Sequence, residues 1–180
     1  MTQEETSRPK RASSGRQILL VVDDEPDHLD LIYRTFHEEY EVRCAGSGAE
    51  ALEILSLERD IAVIVTDQRM PRMSGTELLS ITASQYPDVI RILLTAYSDI
   101  EDLVEAINDG KVFKYVTKPW RADELREVVR QAAETHSILT SRTRELSRSL
   151  RQEALLNMVT NTIRGASGIS SKSSRPLWRR

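Results

Sequence analysis

The sequence predicts an α/β fold: a doubly wound sheet of five parallel strands with a C-terminal helical extension. Three observations lead there. The runs "ILLVV" (Ile18–Val22), "IAVIV" (Ile61–Val65) and "IRILL" (Ile90–Leu94) are continuously apolar, which suits parallel strands covered on both faces. Between the runs, apolar residues recur at helical spacing, and helix-start signals sit where each such stretch begins. Strand and helix patterns alternate with short connections, the arrangement that builds a parallel, doubly wound sheet.

Taken in order, the first strand gives way to Pro26, suited to a first helical turn, and to Leu29, Ile32 and Phe36 on one helix face. "EVRCA" (Glu41–Ala45) is a shorter second strand, and the helix after it carries Leu52 and Leu55 on one face. Ser47 with Glu50, Ser74 with Glu77, and Ser98 with Glu101 each have the spacing of a capping box. There the serine satisfies a free backbone N–H and the glutamate reaches back to the cap. The fourth helix has the clearest stripe, Ile100, Leu103, Val104 and Ile107, and Gly110 suits its end. "KYVT" (Lys114–Thr117) is the fifth strand, and a fifth helix is expected to close the repeat near Ser137.

The ends differ from this middle. Residues 1–16 are polar, mixed in charge and without periodicity, and read as a flexible leader. Residues 165–180, "GASGISSKSSRPLWRR", are rich in Ser and Gly with a basic end and read as a disordered tail. The net charge of −3 gives no case for bulk nucleic-acid affinity. One cysteine, Cys44, excludes a disulfide framework within the chain. No apolar stretch approaches the roughly 20 residues of a membrane helix, and the N-terminus lacks an apolar signal core. A cytoplasmic protein is the expectation.

In doubly wound sheets, function collects at the carboxyl ends of the strands. There the sequence places Asp23 and Asp24 at the end of the first strand, Asp67 at the end of the third, Thr95 at the end of the fourth and Lys118 near the end of the fifth. Carboxylates gathered in one pocket repel, and a hard divalent cation relieves that; Mg²⁺ prefers one or two carboxylates plus waters and phosphate oxygens. A lysine supplies positive charge for a phosphoryl oxygen, and a threonine hydroxyl can donate to one. Metal, carboxylate nucleophile and cationic clamp are the parts of a phosphoryl-transfer site. The bland alternatives are an acid cluster at a helix N-terminus, a surface lysine and a β-branched strand residue. The three histidines, His28, His37 and His136, show no ligand spacing and are expected on helix surfaces.

The acidic pair Asp23–Asp24, Asp67 in "DQRMPRMSG", Thr95 followed by Ala96, and Lys118–Pro119 together resemble the receiver domain (CheY-like) of bacterial two-component response regulators. The resemblance covers roughly Gln17 to Ser137, about two-thirds of the chain. It implies a flavodoxin-like (βα)5 fold and Mg²⁺ as cofactor. Asp67 would accept a phosphoryl group from a histidine kinase or phosphotransfer protein. Asp24 would bind the metal directly, Asp23 mostly through water, with Asp67 and the backbone carbonyl of Arg69 completing the protein ligands. Lys118 would pair with Asp67 and then with the phosphoryl group, its bond to Pro119 cis. Thr95 would move to a phosphoryl oxygen and Tyr115 would rotate inward, changing the surface of the fourth helix, fifth strand and fifth helix. "KPW" with "DQRMP" also resembles receivers of hydrogenase-type regulators and cyclic-dinucleotide phosphodiesterases.

Beyond the receiver span of 17–137, residues 138–164 read as a helical extension, a coiled coil or partner helix. Leu139 and Leu146 continue the heptad of Leu125 and Ala132, but the next position is Glu153, and Thr135, Arg142 and Ser149 at the partner register make a poor seam. The extension ends in a cluster of Leu150, Leu155, Leu156, Met158, Val159 and Ile163. An apolar patch of that kind seeks a partner, another protein or a second copy; a frayed remnant of a lost output domain is the alternative. No specific DNA binding and no membrane contact is expected. These residues fit two function classes. One is a signalling module whose output is protein contact. The other is an Mg²⁺-dependent hydrolase with Asp67 as nucleophile, for which the second aspartate of an Asp-x-Asp pattern is missing, since position 69 is arginine. The expectation is a signalling module and not an enzyme, promoting only its own phosphorylation and dephosphorylation.

Overall fold

The computed structural model describes residues 15–96 and 111–167, with side chains described to residue 156 and at 158. The predicted fourth helix, with its Ser98 cap, its stripe and Gly110, lies outside the described residues, as do residues 1–14 and 168–180. Five strands, β1 (Ile18–Val22), β2 (Glu41–Ala45), β3 (Ile61–Asp67), β4 (Ile90–Ala96) and β5 (Lys114–Lys118), form one sheet in the order β2-β1-β3-β4-β5. All neighbouring strands are parallel. Helices α1 (Pro26–Phe36), α2 (Gly48–Leu57), α3 (Gly75–Gln85) and α4 (Ala122–Ser167) complete the described elements. The helix α4 begins as the fifth helix expected from the sequence.

The apolar runs divide between two faces, as the alternation of a strand requires. Leu19, Val21, Val63, Val65, Ile92, Leu94 and Val116 pack with Ile32 and Phe36 of α1 and Leu125, Val129 and Ala132 of α4. Leu20, Val22, Ile64 and Leu93 face Ala51 and Leu55 of α2 and Leu78 and Leu79 of α3. Helices cover both faces, so every residue of β3 is buried. The order reverses direction between β1 and β3, the switch point at which open α/β sheets place ligand crevices.

Helix starts follow the predicted chemistry in part. Ser74 and Glu77 form a full capping box. Ser47 accepts from the Glu50 N–H at 3.2 Å, but the Glu50 carboxylate takes the Gly46 N–H at 2.8 Å, so the reciprocal half reaches one residue further back. At α1, Glu25 caps without a side-chain bond, and Pro26 removes one of the donors that would need satisfying. Two boundaries differ from the sequence reading. Arg16, placed in the leader, donates from Nη1 to the His37 and Glu38 carbonyls at 3.2 and 2.9 Å. The helix α4 continues past Gly165 to Ser167 because a single glycine lowers helix propensity without ending a long helix. The chain divides into two compact units after Ile138.

Gly75, the first residue of α3, lies against the end of β3. A Cβ there would land on the Asp67 carbonyl oxygen and come within 2.7 Å of Leu93 Cδ1. Gly75→Ala is therefore expected to destabilise the fold by about 1–3 kcal/mol through overpacking. Urea denaturation of both proteins measures it, and equal midpoints would show that the contact can relax.

Candidate functional site

The parallel register brings the strand ends together. Val22 pairs with Thr66, which sets Asp23 beside Asp67 at the edge of β1 and β3. Asp67 is opposite Leu94, and Ala96 is opposite Lys118. The first and last strands of the set thus contribute to one edge although they are far apart in sequence.

Asp23 and Asp67 are both buried, at 1% and 6% exposure, and share one cation. Lys118 Nζ lies 2.6 Å from Asp67 Oδ1 and 3.5 Å from Asp23 Oδ2. The remaining carboxylate oxygens are held by backbone: the Glu25 N–H donates to Asp23 Oδ1 and the Arg69 N–H to Asp67 Oδ2, each at 2.9 Å. Burial pulls the lysine pKa down, but the hydrogen bond and charge of Asp67, with those of Asp23, outweigh it and hold the pKa above its ordinary value. Lys118 therefore stays a cation at neutral pH.

Asp24 follows Asp23 but is exposed, at the rim of this edge. Thr95 is fully buried on β4, and its hydroxyl donates to the Ala96 carbonyl at 3.2 Å. Tyr115 is exposed on β5. The Lys118–Pro119 peptide is cis, as the resemblance implied. Arg72 in the loop after β3 has a φ of 71°, a conformation that costs a non-glycine residue about 1–2 kcal/mol.

The structure corrects the reading of His28. It is not simply a helix-surface residue: its Nδ1 lies 3.2 Å from Asp23 Oδ2 and its Nε2 3.7 Å from Glu25 Oε2. Asp23, Glu25 and His28 each bring one ligand-type atom within 4.8 Å of the others. Its signal in the sequence was position: a helix starting at Pro26 turns its first residues back over the end of β1. His28 and Asp23 also line a cavity of about 410 Å³ with Leu31, Ile32, Lys118 and Trp120. Trp120 both borders that cavity and packs on the core cluster that includes α4 residues.

Metal chemistry fits these residues. Two buried carboxylates against one lysine leave an excess negative charge at the edge, which the neighbouring Asp24 increases. An all-oxygen, anionic donor set is what a hard divalent cation takes.

The ion pair has a testable pH dependence. Because the folded-state pKa of Lys118 is raised, its contribution is whole below the ordinary lysine value and is lost as pH climbs through the raised one. In urea denaturation without divalent cations, Lys118→Met is expected to be less stable than the parent at pH 7.5. The gap should narrow only above about pH 10.4. A gap that closes by pH 9 would contradict the assignment.

Comparison with known proteins places this geometry. The family model "Response regulator receiver domain" matches residues 19–130. Among curated relatives, the hydrogenase transcriptional regulatory protein HoxA of Cupriavidus necator is 37% identical over 126 residues, 70% of this chain and 26% of the relative. The chain thus spans about a quarter of the length of that relative. Among solved structures, one titled adenylate cyclase from Rhodopirellula baltica superposes with a TM-score of 0.71 at 29% identity, covering 73% of this chain and 98% of that one. A receiver domain protein from Clostridium thermocellum superposes at 0.65 and 30% identity, covering 68% and 98%. The expectation of no specific DNA binding is not supported, since HoxA is a transcriptional regulator by name and much longer than this chain. Among the described residues, no helix is long and apolar enough to cross a membrane. With its parallel β2-β1-β3-β4-β5 sheet and its matched segment, the chain belongs to the response regulator receiver domain family.

Proposed function

We propose that Asp67 is the phosphoacceptor of a two-component phosphorelay, taking its phosphoryl group from a histidine kinase or phosphotransfer protein. The observation that carries this is the shared cation: Lys118 bridges the buried Asp67 and Asp23 carboxylates. An Asp67 oxygen attacks phosphorus, the P–N bond of the donor phosphohistidine breaks, and an acyl phosphate forms. The Arg69 N–H and Lys118 orient the carboxylate before attack. Lys118 then stays with the transferred group, whose new oxygens carry the charge it balanced on Asp67.

Mg²⁺ would be held by Asp24, Asp67 and the Arg69 carbonyl, with Asp23 acting mostly through water. Once bound, it would supply charge neutralisation for the transferring phosphoryl oxygens. The occupancy of the carboxylates supports this division. Asp23 has one oxygen engaged by the Glu25 N–H and the other by His28 and Lys118, whereas Asp24 is exposed to solvent.

Signalling follows from the side chains that would respond. Thr95 would leave the Ala96 carbonyl for a phosphoryl oxygen, and Tyr115 would turn in from its exposed position. Both changes would bias a two-state surface that includes β5, the first turns of α4 and the predicted fourth helix. The output is contact with a downstream protein.

Acetyl phosphate with Mg²⁺ is expected to add one phosphoryl group, seen by intact mass, and Asp67→Asn to abolish it. An adduct that persists in that variant would move the site elsewhere. Asp24→Ala should weaken Mg²⁺ binding at least about tenfold, measured by Trp fluorescence titration. Equal affinity would remove Asp24 from the ligand set.

A further inference from the structure

The loop that leaves β3 for α3 is closed on itself by the residue directly after Asp67. Gln68 has both ends of its backbone and both ends of its side-chain amide engaged. Its N–H donates to the Leu94 carbonyl at 2.9 Å, extending the contact with β4. Its carbonyl accepts from the Gly75 N–H at 3.0 Å and its Oε1 from the Thr76 N–H at 3.1 Å, while its Nε2 reaches Thr76 Oγ1 at 3.4 Å. Gly75 and Thr76 open α3, where N–H groups have no partner inside the helix. Gln68 serves both of them, and Ser74 serves the next, that of Glu77. The consequence lies in the peptide between Gln68 and Arg69. A trans peptide is rigid, and its carbonyl and N–H point opposite ways. Here the carbonyl is held by Gly75 and the N–H donates to Asp67 Oδ2 at 2.9 Å. The close approach needs glycine, because a Cβ at Gly75 would strike the Asp67 carbonyl.

We infer that Gln68 is a positioning residue for the reaction at Asp67. Its side chain locks the Gln68–Arg69 peptide against the start of α3 and so aims the Arg69 N–H at the reacting carboxylate. This role rests on the reading of Asp67 as the phosphoacceptor. Two features set it apart from simple helix capping. First, Ser74 and Glu77 already form a full capping box, so α3 has a start signal of its own. Second, Asp67 presents Oδ1 to Lys118 and Oδ2 to the Arg69 N–H. A tilt of that peptide releases one of the two holds and lets the carboxylate rotate away from the lysine. Gln68 touches neither the carboxylate nor the lysine through its side chain; it acts through the peptide that does.

The test compares two variants of the whole 180-residue chain. Gln68→Met keeps the side-chain bulk and loses both side-chain bonds. Ser74→Ala removes the cap of the same helix without touching the Gln68–Arg69 peptide, and so matches the loss of stability. Both should unfold cooperatively in urea at midpoints below the parent. In metal-free protein, ¹H–¹⁵N spectra should show the Arg69 amide exchanging with solvent at least about tenfold faster in Gln68→Met and unchanged in Ser74→Ala. Gln68→Glu, which keeps an acceptor for the Thr76 N–H, should restore slow exchange. With acetyl phosphate and saturating Mg²⁺, the phosphorylation rate constant should fall at least about tenfold in Gln68→Met and stay within about twofold of the parent in Ser74→Ala. An Arg69 amide that is the same in Gln68→Met and the parent, or is perturbed equally by Ser74→Ala, overturns the inference. So does fast exchange in Gln68→Glu, or phosphorylation of Gln68→Met at the parent rate. A parent that takes no phosphoryl group fells the Asp67 reading and this role with it, and is told apart because the parent itself is then inert.

Discussion

Everything at the carboxyl edge of the sheet turns on two buried carboxylates sharing one lysine. Asp23 and Asp67 sit where β1 and β3 end side by side, nearly without solvent. Burying a charge costs several kcal/mol unless it is paired and hydrogen-bonded. Here each carboxylate receives a backbone N–H, and Lys118 reaches both from the far strand. The pairing is incomplete by count, two anions to one cation. The remaining negative charge suits a hard divalent cation, which a closed structural ion pair would not. The apolar sheet beneath, covered on both faces, supplies the rigidity that holds like charges this close.

Much of this is legible in the sequence. Strands buried on both faces must be continuously apolar, so "ILLVV", "IAVIV" and "IRILL" marked β1, β3 and β4. The right-handed crossover rule then allowed few topologies. Residues at strand ends stood out because a charge directly after a buried run needs a reason. The less legible features depend on side-chain direction in three dimensions. His28 looked like an unremarkable helix residue because periodicity gives no face for it, and only its place in the first turn after β1 points to Asp23. The Ser47 box was half right because Glu50 had two backbone donors within reach and took that of Gly46. Thr95 was expected at the end of the fourth strand, and β4 runs one residue further, to Ala96, because parallel pairing with β5 continues that far.

The central claim is that the charge imbalance at the β1/β3 edge exists to make Asp67 a nucleophile. Reduction tests it at the atom concerned. Borohydride converts an aspartyl acyl phosphate to homoserine and leaves phosphoserine, phosphothreonine and phosphohistidine intact. After treatment with acetyl phosphate and Mg²⁺, then borohydride, peptide mass spectrometry should find homoserine at position 67 and at no other aspartate. Homoserine at Asp23 or Asp24, or a phosphoryl group that survives reduction on another residue type, would contradict the account.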